Sequence, residues 1–196
     1  DGGHHAPASF EVAVGKVRLI GNCGRRLGRL GEGSAAWTQA LASTAAHTAL
    51  VINDTDTDPV QNTTVIRRDH EGARLIEAQH DGYRKFGITH TRCIYVDAGG
   101  TDIRGEDILR GGNSQPLSIR FHLHPDIRAS MVAGGGEVIL KPPRGRGWRF
   151  YCRHPVMLEE SVSFHDGRQH RSQQITVLGN HEPSNTTIKW RLAMQG

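Results

Sequence analysis

Cysteine is scarce in this chain: Cys23, Cys93 and Cys152 are the only three in 196 residues, and no two form a C-x-x-C pair. That spacing excludes a zinc knuckle or a dithiol redox motif; it leaves one disulfide with a spare thiol, or three unpaired thiols, equally open. Aromatic residues are also few, at 6%, and the arginines are scattered. No aromatic-basic platform is present, so nucleic acid is not an expected partner. No apolar run approaches the roughly 18 residues that a membrane-spanning helix needs, so no membrane span is expected. There is no Gly-rich phosphate loop between a strand and a helix, no G-x-S-x-G and no H-E-x-x-H, which removes support for the enzyme classes built on them. No initiator Met and no charged-then-apolar leader precede the first strand-like run, and the chain reads as a piece of a longer protein.

What is abundant is turn chemistry. Twenty-four glycines and eight prolines interrupt a chain that is 36% hydrophobic, enough for a core but too broken for a helical bundle. Lys and Arg number 24 against 20 Asp and Glu, a formal charge of 24 − 20 = +4, and the pI is about 9.3. The balance permits an acidic partner without selecting one.

Period-two alternation recurs from end to end. Phe10-Glu11-Val12-Ala13-Val14 turns through Gly15-Lys16 into Val17-Arg18-Leu19-Ile20, a hairpin in outline. Ala49-Leu50-Val51-Ile52, Thr64-Val65-Ile66, Arg74-Leu75-Ile76-Glu77, Thr91 to Val96, Ile103 to Leu109 and Ser118 to His124 continue the series, and further strands follow to Leu192. About a dozen strands exceed what one sheet usually holds, so the expectation is an all-β fold: a two-layer antiparallel β-sandwich over residues 1–196. Residues 35–44 are the only helical candidate.

Several clusters carry chemical potential. Gly2-Gly3-His4-His5 precedes the first strand, where imidazoles can overhang a sheet edge or simply lie in an exposed terminus. His47 sits among small residues at the entrance to a strand, as a ligand or as a satisfied core histidine. Asn22-Cys23-Gly24 ends the second strand, on the same end of the hairpin as His4. His122 and His124 share one strand face with Arg120, which reads as a polar outer face. In His80-Asp81-Gly82-Tyr83 with His90, Asp81-Gly82 has turn chemistry and Tyr83 is either a proton donor or a packing residue.

The ordered set of these segments, with Arg104-Gly105-Glu106-Asp107, Arg120-Phe121-His122-Leu123-His124-Pro125, Gly147-Trp148-Arg149-Phe150 and Glu159-Glu160-Ser161, resembles the C-terminal β-sandwich of the heparinase II/III-like polysaccharide lyases. The resemblance implies an N-terminal α/α toroid, absent from this sequence, and an acidic polysaccharide held between the two parts. It implies cleavage beside a uronic acid by β-elimination, with periplasm or cell envelope as the location. It also implies zinc or another divalent metal, with His4, Asn22 and His47 on the ligand positions. Asn22 stands where the family carries an acidic ligand, and Gly2 where it carries the catalytic histidine, so His5 is the catalytic candidate. His80, Tyr83 and His90 match as structural or substrate-binding positions. The isolated residues are expected to be inactive, and a non-catalytic glycan-binding or structural sandwich is the competing expectation.

Overall fold

A computed structural model describes residues 5–24, 34–165 and 168–196. His4 and Gly2 therefore lie outside the described residues. Among the described residues, fourteen strands and one α-helix follow the order β1 (Val12–Val14), β2 (Val17–Gly21), α1 (Ser34–Ala42), β3 (Leu50–Ile52), β4 (Thr63–His70), β5 (Ala73–Tyr83), β6 (Ile88–Val96) and β7 (Asp102–Gly111). The series continues with β8 (Gln115–Leu123), β9 (Arg128–Met131), β10 (Glu137–Lys141), β11 (Trp148–Cys152), β12 (Val156–His165), β13 (Arg168–His181) and β14 (Asn185–Met194).

The strands form two antiparallel sheets. One has the order β1-β2-β8-β13-β12, with β3 also paired to β8; the other is β4-β5-β6-β7-β14-β11-β10-β9. The expected sandwich is what the chain forms. The helix starts at Ser34, one residue before the expected segment, and ends at Ala42; Thr44–Ala46 is a separate 3-10 turn. Asp81-Gly82 is no turn. It is a bulge inside β5, where Asp81 and Gly82 together oppose Thr89 and the register against β6 shifts by one between His80 and Tyr83, because the strand continues to pair on both sides of the extra residue.

Inward-facing positions of both sheets make one core. Trp190 is its centre: Phe10 stacks on it with ring centroids 5.5 Å apart, and Phe121 meets it edge-on at 5.0 Å. The indole fits because its register partner on β7 is Gly105, where a Cβ would stand 2.0 Å from the six-membered ring of Trp190. Gly105→Ala is therefore an overpacking substitution, expected to destabilise by about 1–3 kcal/mol and to change the near-ultraviolet dichroism of the tryptophans. An unchanged melting temperature and spectrum would show that the indole moves aside freely.

Two irregular connections matter for function. β2 leaves β8 after Gly21, and β3 joins the same edge of β8 only from Ile119 downward. Residues 44–49 fill the gap: Arg120 N donates to Ala49 O at 3.0 Å, and His122 N to Thr48 Oγ1 at 3.3 Å. His122 is thus covered by this segment and only 3% exposed. The polar outer face expected for it is correct in polarity but not in exposure.

Candidate functional site

The 42–48 segment gathers the candidate residues. His5 N donates to Ala42 O at 3.0 Å, its carbonyl accepts from Thr44 Oγ1, and its Nδ1 lies 2.8 Å from Thr57 O. His47 Nδ1 lies 2.8 Å from Ser43 O. A carbonyl only accepts, so both imidazoles are protonated on Nδ1, and in the neutral form both carry the lone pair on Nε2. This is the tautomer that a metal ligand or a general base working through Nε2 requires. His5 is half-buried; His47 is 8% exposed.

Asn22 occupies the same region, but its amide is committed. Oδ1 accepts from Thr48 N at 2.8 Å and Nδ2 donates to Glu11 Oε1 at 3.3 Å. Among the described residues there is no group of three His, Cys, Asp or Glu that could hold a metal ion. The described residues by themselves do not fit a metal centre. Asn22 ties the end of β2 to the 44–48 segment, in register with Thr48 Oγ1 donating to Gly21 O at 2.5 Å.

Beneath this segment lies Cys23, 3.4 Å from His122 Nδ1, with Ser161 Oγ donating to the same nitrogen at 3.0 Å. A Cys, a His and a Ser in contact resemble a nucleophile with its base. Their surroundings oppose that chemistry: burial pushes the Cys23 thiol up to about 11 and His122 down to about 4. The pair is a neutral thiol and a neutral imidazole, with His122 Nε2–H donating to Ala45 O at 2.9 Å. All three cysteines are free thiols.

His80, Tyr83 and His90 are interior, with exposures of 2%, 0% and 1%. Tyr83 donates to Leu50 O at 2.5 Å, and burial raises its phenol well above the ordinary value, so it holds β3 to β5. The histidines form a chain with one consistent set of protons. Gly82 N donates to His80 Nδ1 at 3.2 Å, so His80 carries its proton on Nε2 and donates to His90 Nδ1 at 2.9 Å. His90 Nε2–H then donates to Asp107 Oδ1 at 2.8 Å. Arg92 Nε donates to the same oxygen at 2.7 Å, and Trp190 Nε1 to Oδ2 at 3.0 Å.

Arg92 and Asp107 escaped the sequence reading as individual residues, although a signal existed. Asp107 follows Ile103 and Gly105 in the inward phase of β7, and Arg92 lies between His90 and Ile94 in that of β6. A charge on the apolar face of a strand demands a buried partner, and these two supply it to each other. The network reaches the candidate site, because Arg92 Nη1 donates to Thr48 O at 2.9 Å and to Ala8 O at 3.1 Å. A pocket of about 310 Å³ lies beside it, lined by Phe10, Val65, Ile76, His80, Arg92 and Ile94 among others.

The family described as heparinase II/III-like, C-terminal, matches residues 2–191. FtsZ-localized protein C of Caulobacter vibrioides (strain NA1000 / CB15N) is 30% identical over 212 residues, which cover 95% of this chain and 36% of that protein. Among solved structures, heparan sulfate lyase HepC from Pedobacter heparinus superposes with a TM-score of 0.86 at 10% identity, over 97% of this chain and 30% of that one. A heparinase III, the BT4657 gene product, gives 0.82 at 8% identity, over 97% and 30%. At such identities the two lyases share the fold. The chain spans about a third of the length of each of these proteins.

Proposed function

From the premise that this chain belongs to the heparinase II/III-like family, as its C-terminal domain, we propose that it is the sandwich part of a lyase acting on uronic-acid-containing polysaccharide. The observation that carries the reading is the tautomer of His5, an imidazole held against residues 42–44 with its Nδ1–H on Thr57 O, which turns the Nε2 lone pair to proton chemistry. In β-elimination the proton on C5 leaves, the C4–O4 bond breaks with its electron pair going to the departing oxygen, and a C4–C5 double bond forms. His5 Nε2 accepts the C5 proton, and the toroid of the full-length protein supplies the tyrosine, which gives a proton to the departing O4, and the remaining contacts that neutralise the uronate. His80, His90 and Tyr83 act from within, as the rigid support beneath residues 47–50. Acidic glycans are met outside the cytoplasm, which makes periplasm or cell envelope the proposed location.

The test is a panel of acidic glycans offered to the untagged full-length protein, read by unsaturated-uronate absorbance. Turnover that falls at least about tenfold in His5→Ala, with the fold intact, is expected. The isolated domain should give none. Zinc in the same preparation should be substoichiometric, since the Asn22 amide is engaged; one zinc per chain, lost in His47→Ala, would establish a metal centre instead. No product from any glycan overturns the lyase reading.

Two observations favour a second reading, a non-catalytic module: Asn22 is locked into the scaffold, and the relative at 30% identity is an FtsZ-localized protein. That module would bind acidic glycan in a salt-sensitive way without turnover, as part of an FtsZ-localized protein.

A further inference from the structure

The turn between β1 and β2, residues 124–128, and the 142–147 connection lie at one end of the sandwich. There the side chains of Lys16, Arg128, Lys141, Arg144 and Arg146 are all exposed. None of the five has an ion pair or a side-chain hydrogen bond among the described residues. Arg128 and Lys141 are direct cross-strand partners, which places two like charges about 5 Å apart at Cβ, an arrangement that destabilises a sheet unless something neutralises it. Arg144 and Arg146 follow immediately on a short connection stiffened by Pro142-Pro143 and turned at Gly145, whose φ is +85°.

The outer face of the eight-stranded sheet shows what a solvated basic face looks like in this protein. Arg104 and Arg191 both bind Asp102, at 2.6 and 2.7 Å; Lys189 pairs with Glu106 at 2.8 Å, and Arg149 with Glu137 at 3.3 Å. These four cations have acids of their own. The five at the 142–147 end have none among the described residues, and the one acid nearby, Asp126, faces His124.

Between the β1–β2 turn and this connection runs a groove of about 320 Å³, lined by Val14, Val17, Trp148 and Met194 as well as Arg144 and Arg146. An apolar floor with cations along its rim matches a polymer that is apolar on its ring faces and anionic at its edges. We propose that this end of the sandwich is a binding surface for an acidic polysaccharide, separate from the residues around His5 and His47. Six residues of extended chain separate Lys16 from Asn22, roughly 20 Å. A lipid bilayer is a poorer match, because the large exposed apolar side chains, Val65, Ile66, Ile76, Met131, Tyr151, Met157 and Leu178, are not among those lining the groove, and Trp148 is only 1% exposed. Nucleic acid lacks an exposed aromatic ring to stack on here.

The inference shares with the proposed lyase activity only the class of partner, and the experiment separates the two. The full-length protein is titrated with a size-fractionated heparin oligosaccharide, which carries uronate and sulfate, and affinity is read by calorimetry at low and physiological salt. Arg144→Ala/Arg146→Ala and Arg128→Ser/Lys141→Ser should each weaken binding at least about tenfold and flatten its salt dependence, while Arg149→Ala/Lys189→Ala on the outer face should change it less than about twofold. Turnover of a short oligosaccharide too small to span both sites should be unchanged in all three, and if the protein cleaves nothing the binding result still stands. Unchanged heparin affinity in the first two variants overturns the proposal. So does equal or tighter capture, lost in the same variants, of phosphatidylglycerol vesicles, duplex DNA or polyglutamate.

Discussion

Asp107→Asn is expected to cost about 3–5 kcal/mol, the range for removing one partner of a buried ion pair. Asp107 is fully buried and Arg92 is 2% exposed. Burial alone would raise the Asp107 carboxyl, but Arg92 and His90 outweigh it and hold it far below the ordinary carboxylate range. Its two oxygens accept from three donors: His90 and Arg92 on Oδ1, Trp190 on Oδ2. Asparagine has nearly the same shape but offers one oxygen, and its amide nitrogen would face a donor. The guanidinium would remain buried without a counter-charge. For a domain of this length the loss corresponds to a melting temperature lower by roughly 6–20 °C. Arg92→Leu/Asp107→Leu should be less destabilised than the sum of its single variants, because the second substitution removes the stranded charge. It should still fall short of the unsubstituted protein, since His90 and Trp190 lose their acceptor. Asp107→Asn within about 1 kcal/mol of the parent would mean that water enters and solvates Arg92.

The consequence reaches function through Thr48. Arg92 holds Thr48 O and Ala8 O, one residue beyond His47 and three beyond His5. A loosened Arg92 frees both anchors of the candidate site, so a lyase with Asp107→Asn should lose turnover before it loses its fold on heating.

This arrangement also shows where the sequence was legible. Strand alternation sufficed for two antiparallel sheets, because a two-residue period leaves little choice about which side is buried. The ordered motifs were enough for the family. Proximity was another matter. His5 and His47 are 42 positions apart, and what unites them is the 42–48 segment filling a gap along β8, a tertiary event with no local pattern. Asp81-Gly82 has the composition of a turn, yet pairing on both sides of it converts the pair into a bulge. His122 and His124 alternate as an exposed face would, and only the covering segment makes His122 interior. Conversely, Asp107 and Arg92 were visible as inward-phase charges, and weighing phase against charge would have paired them.

Acid should unfold this domain through its histidines. His80 is lowered to about 3, chiefly by burial and then by His90; His122 is lowered to about 4 by burial; His90 is lowered too, burial outweighing Asp107. Each is 3% exposed or less, and each is neutral when folded. In the unfolded chain the same groups titrate near 6.5. Above that pH neither state binds the protons and stability is unaffected. As pH falls below it, the unfolded chain takes up protons that the folded one refuses, so stability declines by about 1.4 kcal/mol per pH unit for each histidine. The sign is therefore loss of stability on acidification, beginning near 6.5 and continuing until each folded group can itself be protonated, at about 4 for His122 and about 3 for His80. Three such groups acting together give about 4 kcal/mol per unit near pH 5, a slope that exhausts an ordinary domain stability of about 5–15 kcal/mol within a few units. Urea unfolding at a series of pH values reads the slope directly. His122→Gln, which keeps a donor for Ala45 O and does not titrate, should reduce it by about a third. A stability that stays flat between pH 6.5 and 4.5 would mean that the buried histidines accept protons in place, and that the chain from His80 to Asp107 opens to water without unfolding.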